Sequence, residues 1–238
     1  MFTKSLRSFS KFLLFVWLVI IFSFMSRPAS GYIIHEPGWD GSGRHSASLS
    51  YYFGPLTLDL PDTTIKSTLS GALDVWGQIV DITFSEVYSP NLPSSIDFLF
   101  GTGDHGDPYP FPGNLLAHSY FPSPPNPEPL AGDVHFNDAF LWEVGDGLGG
   151  LAFDLEYVAI HEIGHSLGLD HSNVPDSVMW PVVSSDTVFS GLFQDDIDGI
   201  LSLYASAYAS APIPEPSTML LIGSGLFGLA AFRRKLKN

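Results

Sequence analysis

The pattern of apolar and polar positions in the middle of the chain predicts strands and helices. Residues 49–58 alternate between the two kinds of side chain and include aromatics, which predicts a β-strand. Between 62 and 80, apolar side chains recur every three or four residues, which predicts an amphipathic helix with Asp62 and Thr63 as suitable N-caps. The recurring side chains are Ile65, Leu69, Leu73, Trp76 and Val80.

The rest of the body predicts several short strands and two further helices. Eight prolines fall between 108 and 129, so that this region is mostly loop. The order of elements predicts one mixed α/β (α+β) domain over 49–208, after a loose lead-in at 31–48 that is rich in Gly and Ser. Strands are predicted at 82–87, 95–100, 115–120 and 133–137, and helices at 152–167 and 193–207.

The N-terminus has the three parts of a secretory signal. Residues 1–11 carry three positive charges, residues 12–25 are continuously apolar, and small residues follow at 29–31. This order predicts a signal peptide over 1–30. The alternative is a retained anchor, although the apolar run is short for a bilayer span.

The C-terminal segment 213–238 has the features of a second targeting signal. A Pro-Glu-Pro motif at 214–216 precedes an apolar run at 219–232, and a basic cluster at 233–235 follows it. Physically, this is a short membrane-seeking segment with a positive cytoplasmic end. The order of the three parts resembles the PEP-CTERM sorting signal of Gram-negative bacteria. That resemblance implies export to the cell surface or medium, transient anchoring, and removal of the tail by an exosortase-type protease. A permanent anchor is the alternative.

Charge and cysteine content limit the possible partners. The net charge is −15, and the stretch from 32 to 212 holds all but one of the 25 acids and two of the ten basic residues. Such an acidic body repels nucleic acid and anionic membranes. We therefore predict no nucleic-acid partner, and membrane contact through the terminal segments alone. The absence of Cys excludes a disulfide framework and a thiolate metal site.

The segment 161–171 carries the candidate chemistry. His161 and His165 are four residues apart and therefore share one face of the predicted helix. Gly168 can adopt a positive φ and end the helix, so that the chain turns back and His171 can add a third imidazole. Three protein ligands leave one position of a Zn²⁺ ion open to water, as a catalytic site requires. Glu162 follows the first ligand and can point into the site without ligating.

These residue types indicate hydrolysis. A zinc ion in an open site acidifies a water molecule and polarises a carbonyl group, and Glu162 is placed to accept the proton as general base. A polar helix with surface histidines is the alternative. The apolar side chains that flank the motif favour a buried helix instead.

The complete spacing from His161 to His171 is the metzincin signature, and within that class the chain resembles the matrixins, the matrix metalloproteinase-like family. Met179 lies where the family has its Met-turn. The segments 72–76, 82–87 and 194–204 are similar to the matrixin N-terminal helix, its following strand and the C-terminal helix. The resemblance implies a twisted, mostly parallel sheet with three helices, zinc endopeptidase activity, and protein or peptide substrates.

The resemblance also implies a second zinc. The positions that match the structural zinc ligands of matrixins are His105, Asp107, His118 and His135. Three imidazoles and a carboxylate complete a closed tetrahedral shell. Six of the eight histidines thus fall into two predicted metal sites.

Three further features distinguish this chain within the matrixin-like proteins: a calcium site, the thiolate switch and a substrate pocket. Asn137 and Phe140 occupy the positions of two acidic calcium ligands, and Phe140 cannot bind Ca²⁺, which argues against that calcium site. There is no Cys for the thiolate switch of many matrixins. Tyr157, four residues before His161, matches a residue that lines the pocket for the side chain after the cleaved bond. A shallow apolar pocket is implied; an ordinary core aromatic is the alternative.

The sequence thus predicts an exported zinc endopeptidase. One alternative is a non-catalytic extracellular matrix or adhesion protein that reuses the fold, against which the intact Glu162 argues. Another is a zinc hydrolase that acts on something other than peptides, which the resemblance disfavours but fold and metal alone do not exclude.

Overall fold

Twelve elements make up the computed structural model, which describes residues 31–41 and 43–207. The strands are β1 Ile33–Ile34, β2 Ala47–Phe53, β3 Ile82–Glu86, β4 Ser95–Gly101, β5 Ala117–Ser119, β6 Val134–Asn137, β7 Trp142–Glu143, β8 Phe153–Asp154 and β9 Leu169–Asp170. The helices are α1 Asp62–Gly77, α2 Leu155–Ser166 and α3 Gln194–Leu203.

Five strands form the main sheet, in the order β3-β2-β4-β6-β5. Four of them run parallel, and β5 pairs antiparallel with β6 at the edge. Parallel strands are covered on both faces and therefore consist largely of buried side chains. All four residues of β6 are buried, as are five of the seven in β4. The predicted mostly parallel sheet with three helices is confirmed for the described residues.

Helices α1 and α2 pack together beside the sheet. Four of the five apolar side chains predicted to form one face of the helix are buried on α1; the fifth, Val80, is also buried but lies beyond the end of the helix at Gly77. Trp76 donates its indole N–H to the carbonyl of Ile160 at 3.0 Å. The predicted N-caps of α1 are wrong. Pro61 is the cap residue, and its carbonyl accepts the N–H groups of Thr64 and Ile65.

Two further helix boundaries differ from the prediction, and in each case a side-chain hydrogen bond accompanies the observed boundary. Helix α2 begins at Leu155 instead of 152, since the Asp154 carboxylate accepts the N–H groups of Glu156 and Tyr157 and caps the helix. Helix α3 ends at Leu203 instead of 207. The next residue, Tyr204, is extended and donates its hydroxyl to the Leu167 carbonyl at 2.7 Å.

The lead-in segment is not loose as predicted. Strand β1 pairs antiparallel with β9, and the main strand β2 starts at Ala47. Trp39 donates its indole N–H to the Ser166 carbonyl at 2.8 Å, at the end of α2. The segment therefore supports the turn that follows the predicted metal-binding helix.

The predicted signal peptide, 1–30, and the predicted C-terminal sorting signal, 213–238, lie outside the described residues. Within the ranges that the structure describes, no helix is long and apolar enough to cross a membrane.

Candidate metal centres

Helix α2 and strand β9 bring three predicted ligands to one point. His161 and His165 lie one turn apart on α2, and their Nε2 atoms are 3.1 Å apart. Gly168 has a φ of +104°, a left-handed conformation that ends the helix and turns the chain into β9. His171 follows β9, and the three histidine donor atoms lie within 4.8 Å of one another.

Hydrogen bonds fix the tautomers of the two histidines on α2. Nδ1 of His161 lies 2.7 Å from the Val178 carbonyl, and Nδ1 of His165 lies 2.6 Å from the Leu169 carbonyl. A carbonyl can only accept, so each Nδ1 carries the proton and each Nε2 presents a lone pair. Burial lowers the pKa of both imidazoles, which keeps them neutral. Two lone pairs facing each other at 3.1 Å repel unless they share a cation, and this cluster therefore fits a metal.

Glu162 lies beside this cluster with its side chain buried. Its Oε2 accepts the hydroxyl of Ser119 at 2.7 Å, across from α2 to β5. Burial raises the pKa of Glu162 to about 7, although the Ser119 hydrogen bond acts in the opposite direction. A carboxyl with a pKa near neutrality suits proton transfer.

The turn that contains Met179 packs against helix α2, which carries two of the three histidines. Met179 is buried, and a Cβ on Gly164 would overlap its Sδ atom, so the Gly of the motif makes room for it. The Asp196 carboxylate, on α3, accepts the N–H groups of Val178 and Met179 at 2.9 and 3.1 Å. Burial raises the pKa of Asp196, whereas these backbone donors lower it. The turn is thus tied to the C-terminal helix.

A second cluster is formed by His105, Asp107, His118 and His135. Asp107 Oδ2 lies 2.8 to 3.0 Å from one nitrogen of each ring, and two of the nitrogen–nitrogen distances are 3.1 and 3.2 Å. Ligand bonds of about 2.0–2.1 Å in a tetrahedral zinc site put ligand atoms roughly 3.3 Å apart. The donor set and its spacing therefore fit a closed zinc site. His118 and His135 meet because they are directly opposite in the β5–β6 ladder.

The second cluster is prepared to bind a divalent cation. Burial lowers the pKa of His135 to about 4, so its ring is neutral. Burial alone would raise the pKa of Asp107. Hydrogen bonds from the Tyr120 hydroxyl at 2.6 Å, the Tyr109 N–H at 2.7 Å and His118 nevertheless hold it well below its usual range. The carboxylate is therefore ionised.

Asn137 and Phe140, which the resemblance matches to calcium-ligand positions, make other contacts in this structure. Asn137 donates its amide to the Leu115 carbonyl at 2.7 Å, and its Oδ1 accepts the Ala139 N–H. Phe140 packs edge-on against Phe153, with ring centroids 5.6 Å apart. These contacts are consistent with the argument against calcium at these two positions.

A cleft of about 540 Å³ runs past Glu162 and the three-histidine cluster. Its lining includes β5, the residues just before it and the segment 180–183. Because β5 is an edge strand, its backbone can pair with an extended peptide. The apolar side chains along the cleft include Leu115, Leu116, Phe140, Phe153, Tyr157 and Trp180.

The structure brings every predicted ligand into one of the two clusters and puts Glu162 and Tyr157 in the cleft. Two residues important to the site were not predicted, Ser119 and Asp196. A signal for Ser119 was available. Adjacent residues of a strand face opposite ways. Because His118 is a predicted ligand of one cluster, Ser119 on the same predicted strand has to point away from that cluster. No local pattern indicates the bond from Asp196 to the Met179 turn.

Comparison with known proteins identifies two family models in the chain. The Matrixin model, peptidase M10, matches residues 42–205. The PEP-CTERM protein-sorting motif matches residues 212–235.

Curated proteins with similar sequences are longer than the chain. Stromelysin-2 of Rattus norvegicus is 41% identical over 175 residues, which cover 71% of this chain and 35% of that protein. Matrilysin of Homo sapiens is 40% identical over 173 residues, covering 71% and 60%. Metalloendoproteinase 1 of Glycine max is 38% identical over 174 residues, covering 71% and 53%. The chain thus spans between about a third and three fifths of the length of these relatives.

Proposed function

The chain belongs to the matrixin family, and on that basis we propose that it is an exported zinc endopeptidase with Glu162 as its general base. The observation that carries this proposal is the buried Glu162 carboxylate in a cleft, next to three histidines whose donor atoms converge. A binding protein would have no use for that acid.

The proposed roles follow from the positions of the side chains. His161, His165 and His171 would hold a zinc ion, which when bound supplies a Lewis acid and lowers the pKa of a water molecule. The edge of β5 aligns an extended peptide along the cleft. Glu162 accepts a proton from the attacking water and returns it to the amine nitrogen when the C–N bond breaks.

Cleavage of a peptide library by the purified protein, with and without a chelator, tests the proposal. We expect chelator-sensitive cleavage that returns when zinc is added. A zinc-loaded protein that cuts no peptide would refute the peptidase and favour the non-catalytic matrix or adhesion protein.

The PEP-CTERM motif indicates export and association with the cell surface. We propose that the host is a Gram-negative bacterium and that an exosortase-type protease removes the tail after about Pro216. We expect the intact mass of protein recovered from the medium to correspond to a chain that ends near Pro216. A variant with Ala at 233–235 serves as the comparison, because it lacks the basic end of the signal and should keep its tail. Extracellular wild-type protein that still ends at Asn238 would contradict this.

Tyr157 is proposed to limit the pocket for the side chain after the cleaved bond. Its ring lies in the cleft wall, and its hydroxyl donates to the Val178 carbonyl at 3.4 Å. We expect the wild type to prefer Leu, Ile or Met and to discriminate against longer groups. Tyr157→Ala should improve kcat/KM for the longest side chains by about tenfold, since one or two methylenes are worth ~1–3 kcal/mol.

A peptide series that varies only this side chain measures the effect. Tyr157→Phe is the matched control, because it keeps the ring and should keep the wild-type ranking. If the Ala variant also keeps that ranking, Tyr157 does not set the pocket.

A further inference from the structure

Strand β5 connects the two metal clusters through consecutive residues. His118 is a member of the four-residue cluster, and Ser119 hydrogen-bonds to Glu162 beside the other cluster. The two side chains point to opposite faces because successive residues of a strand alternate. The β5–β6 ladder fixes this register, with Ser119 opposite Val134.

The Glu162 carboxylate accepts a hydrogen bond from Ser119. The hydroxyl donates to Oε2 at 2.7 Å, a short distance typical of a hydrogen bond to a charged acceptor. Within residues 31–41 and 43–207, the Glu162 side chain makes no other hydrogen bond. With Oε2 held, rotation of the carboxylate is restricted and Oε1 remains open to accept a proton.

We propose that Ser119 is a positioning residue for catalysis: its hydroxyl anchors Oε2 of Glu162 so that Oε1 serves as the proton acceptor. The proposal rests on the proposed peptidase function. The hydroxyl itself takes no proton and touches no reacting atom. Its contribution is to keep the base in one orientation before and during attack, which lowers the cost of reaching the transition state.

The second cluster holds Ser119 in place. His118 lies between Ala117 and Ser119 in a strand of three residues, and its Nε2 is 2.9 Å from Asp107. Ala117 is buried against the core. The position of the Ser119 hydroxyl is therefore set by the pairing of β5 with β6 and by the cluster at His118, not by a flexible loop.

Steady-state kinetics of the zinc-loaded protein tests the role. Ser119→Ala should lower kcat by about tenfold with KM within twofold of wild type, since the hydrogen bond acts on the base and not on the substrate. Ser119→Thr keeps a hydroxyl on a strand-favouring side chain and should recover most of the loss. Ser67→Ala is the control, because it removes an exposed hydroxyl that donates to a backbone carbonyl on α1.

Infrared spectroscopy gives a readout that does not depend on turnover. The difference spectrum between wild type and Glu162→Gln isolates the Glu162 carboxylate stretch. That band should shift in Ser119→Ala and return toward its wild-type position in Ser119→Thr. Zinc content and Tm are measured in parallel and should match the wild type.

The outcomes separate this role from the function on which it rests. A wild type that cleaves peptides, together with an unchanged kcat or carboxylate band in Ser119→Ala, would overturn the role of Ser119 alone. Failure of Thr to do better than Ala would also overturn it. A zinc-loaded wild type that cleaves no peptide would overturn the peptidase function and, with it, this role.

Discussion

Replacing Glu162 by Gln is expected to slow peptide hydrolysis by about 10²–10⁴-fold, the range for loss of a general acid–base group. Gln has the shape of Glu and can still accept the Ser119 hydroxyl, but it cannot take a proton from water. The zinc content should stay at the wild-type value, because the three imidazoles remain in place.

The measurement is kcat/KM on a defined peptide together with metal analysis of the same sample. Glu156→Gln makes the same change on the same helix, away from the cleft lining, and should retain wild-type activity. Activity within tenfold of wild type at unchanged zinc content would exclude Glu162 as the base.

His118→Ala is expected to reduce bound zinc from two ions to one per chain and to destabilise the fold. It removes one of four converging donors and leaves Asp107, an ionised carboxylate, without its cation. Loss of a buried charge partner costs about 3–5 kcal/mol, and metal binding is coupled to folding of the surrounding segment. The Pro-rich region between 108 and 129 has little regular structure apart from β5, so we expect it to be destabilised when the cluster loses its metal.

Zinc stoichiometry and the free energy of unfolding are the measurements. His45→Ala is the control, since His45 is exposed and belongs to neither cluster. One zinc per chain in the wild type, unaltered by His118→Ala, would remove the second site.

The parts of this protein that the sequence predicts are those encoded by local spacing. His161 and His165 lie on one helix, so their separation alone puts them on a common face. Helix α1 could be predicted for the same reason. The second cluster could be located only by resemblance, because His118 and His135 meet through the pairing of β5 with β6, which no local pattern specifies.

The residues that were missed act over long sequence separations or in very short elements. Ser119 and Glu162 are 43 positions apart, and the bond from Asp196 to Val178 spans 18. The strands β1, β7, β8 and β9 have two residues each, too few for alternation to be seen. Asp154 could not be identified as a helix cap, because the start of α2 was not predicted at Leu155.

The alternation along β5 also limits where this chain can tolerate insertions and deletions. A one-residue insertion or deletion inside a strand moves every following side chain to the other face. Here an insertion or deletion just before His118 would turn its imidazole away from Asp107 and the hydroxyl of Ser119 away from Glu162. The four-residue cluster would lose a ligand, and Glu162 would lose its hydrogen-bond donor. A change in the length of the loops on either side leaves the register of β5 intact, whereas a shift within β5 separates His118 from Asp107 and Ser119 from Glu162 in one step.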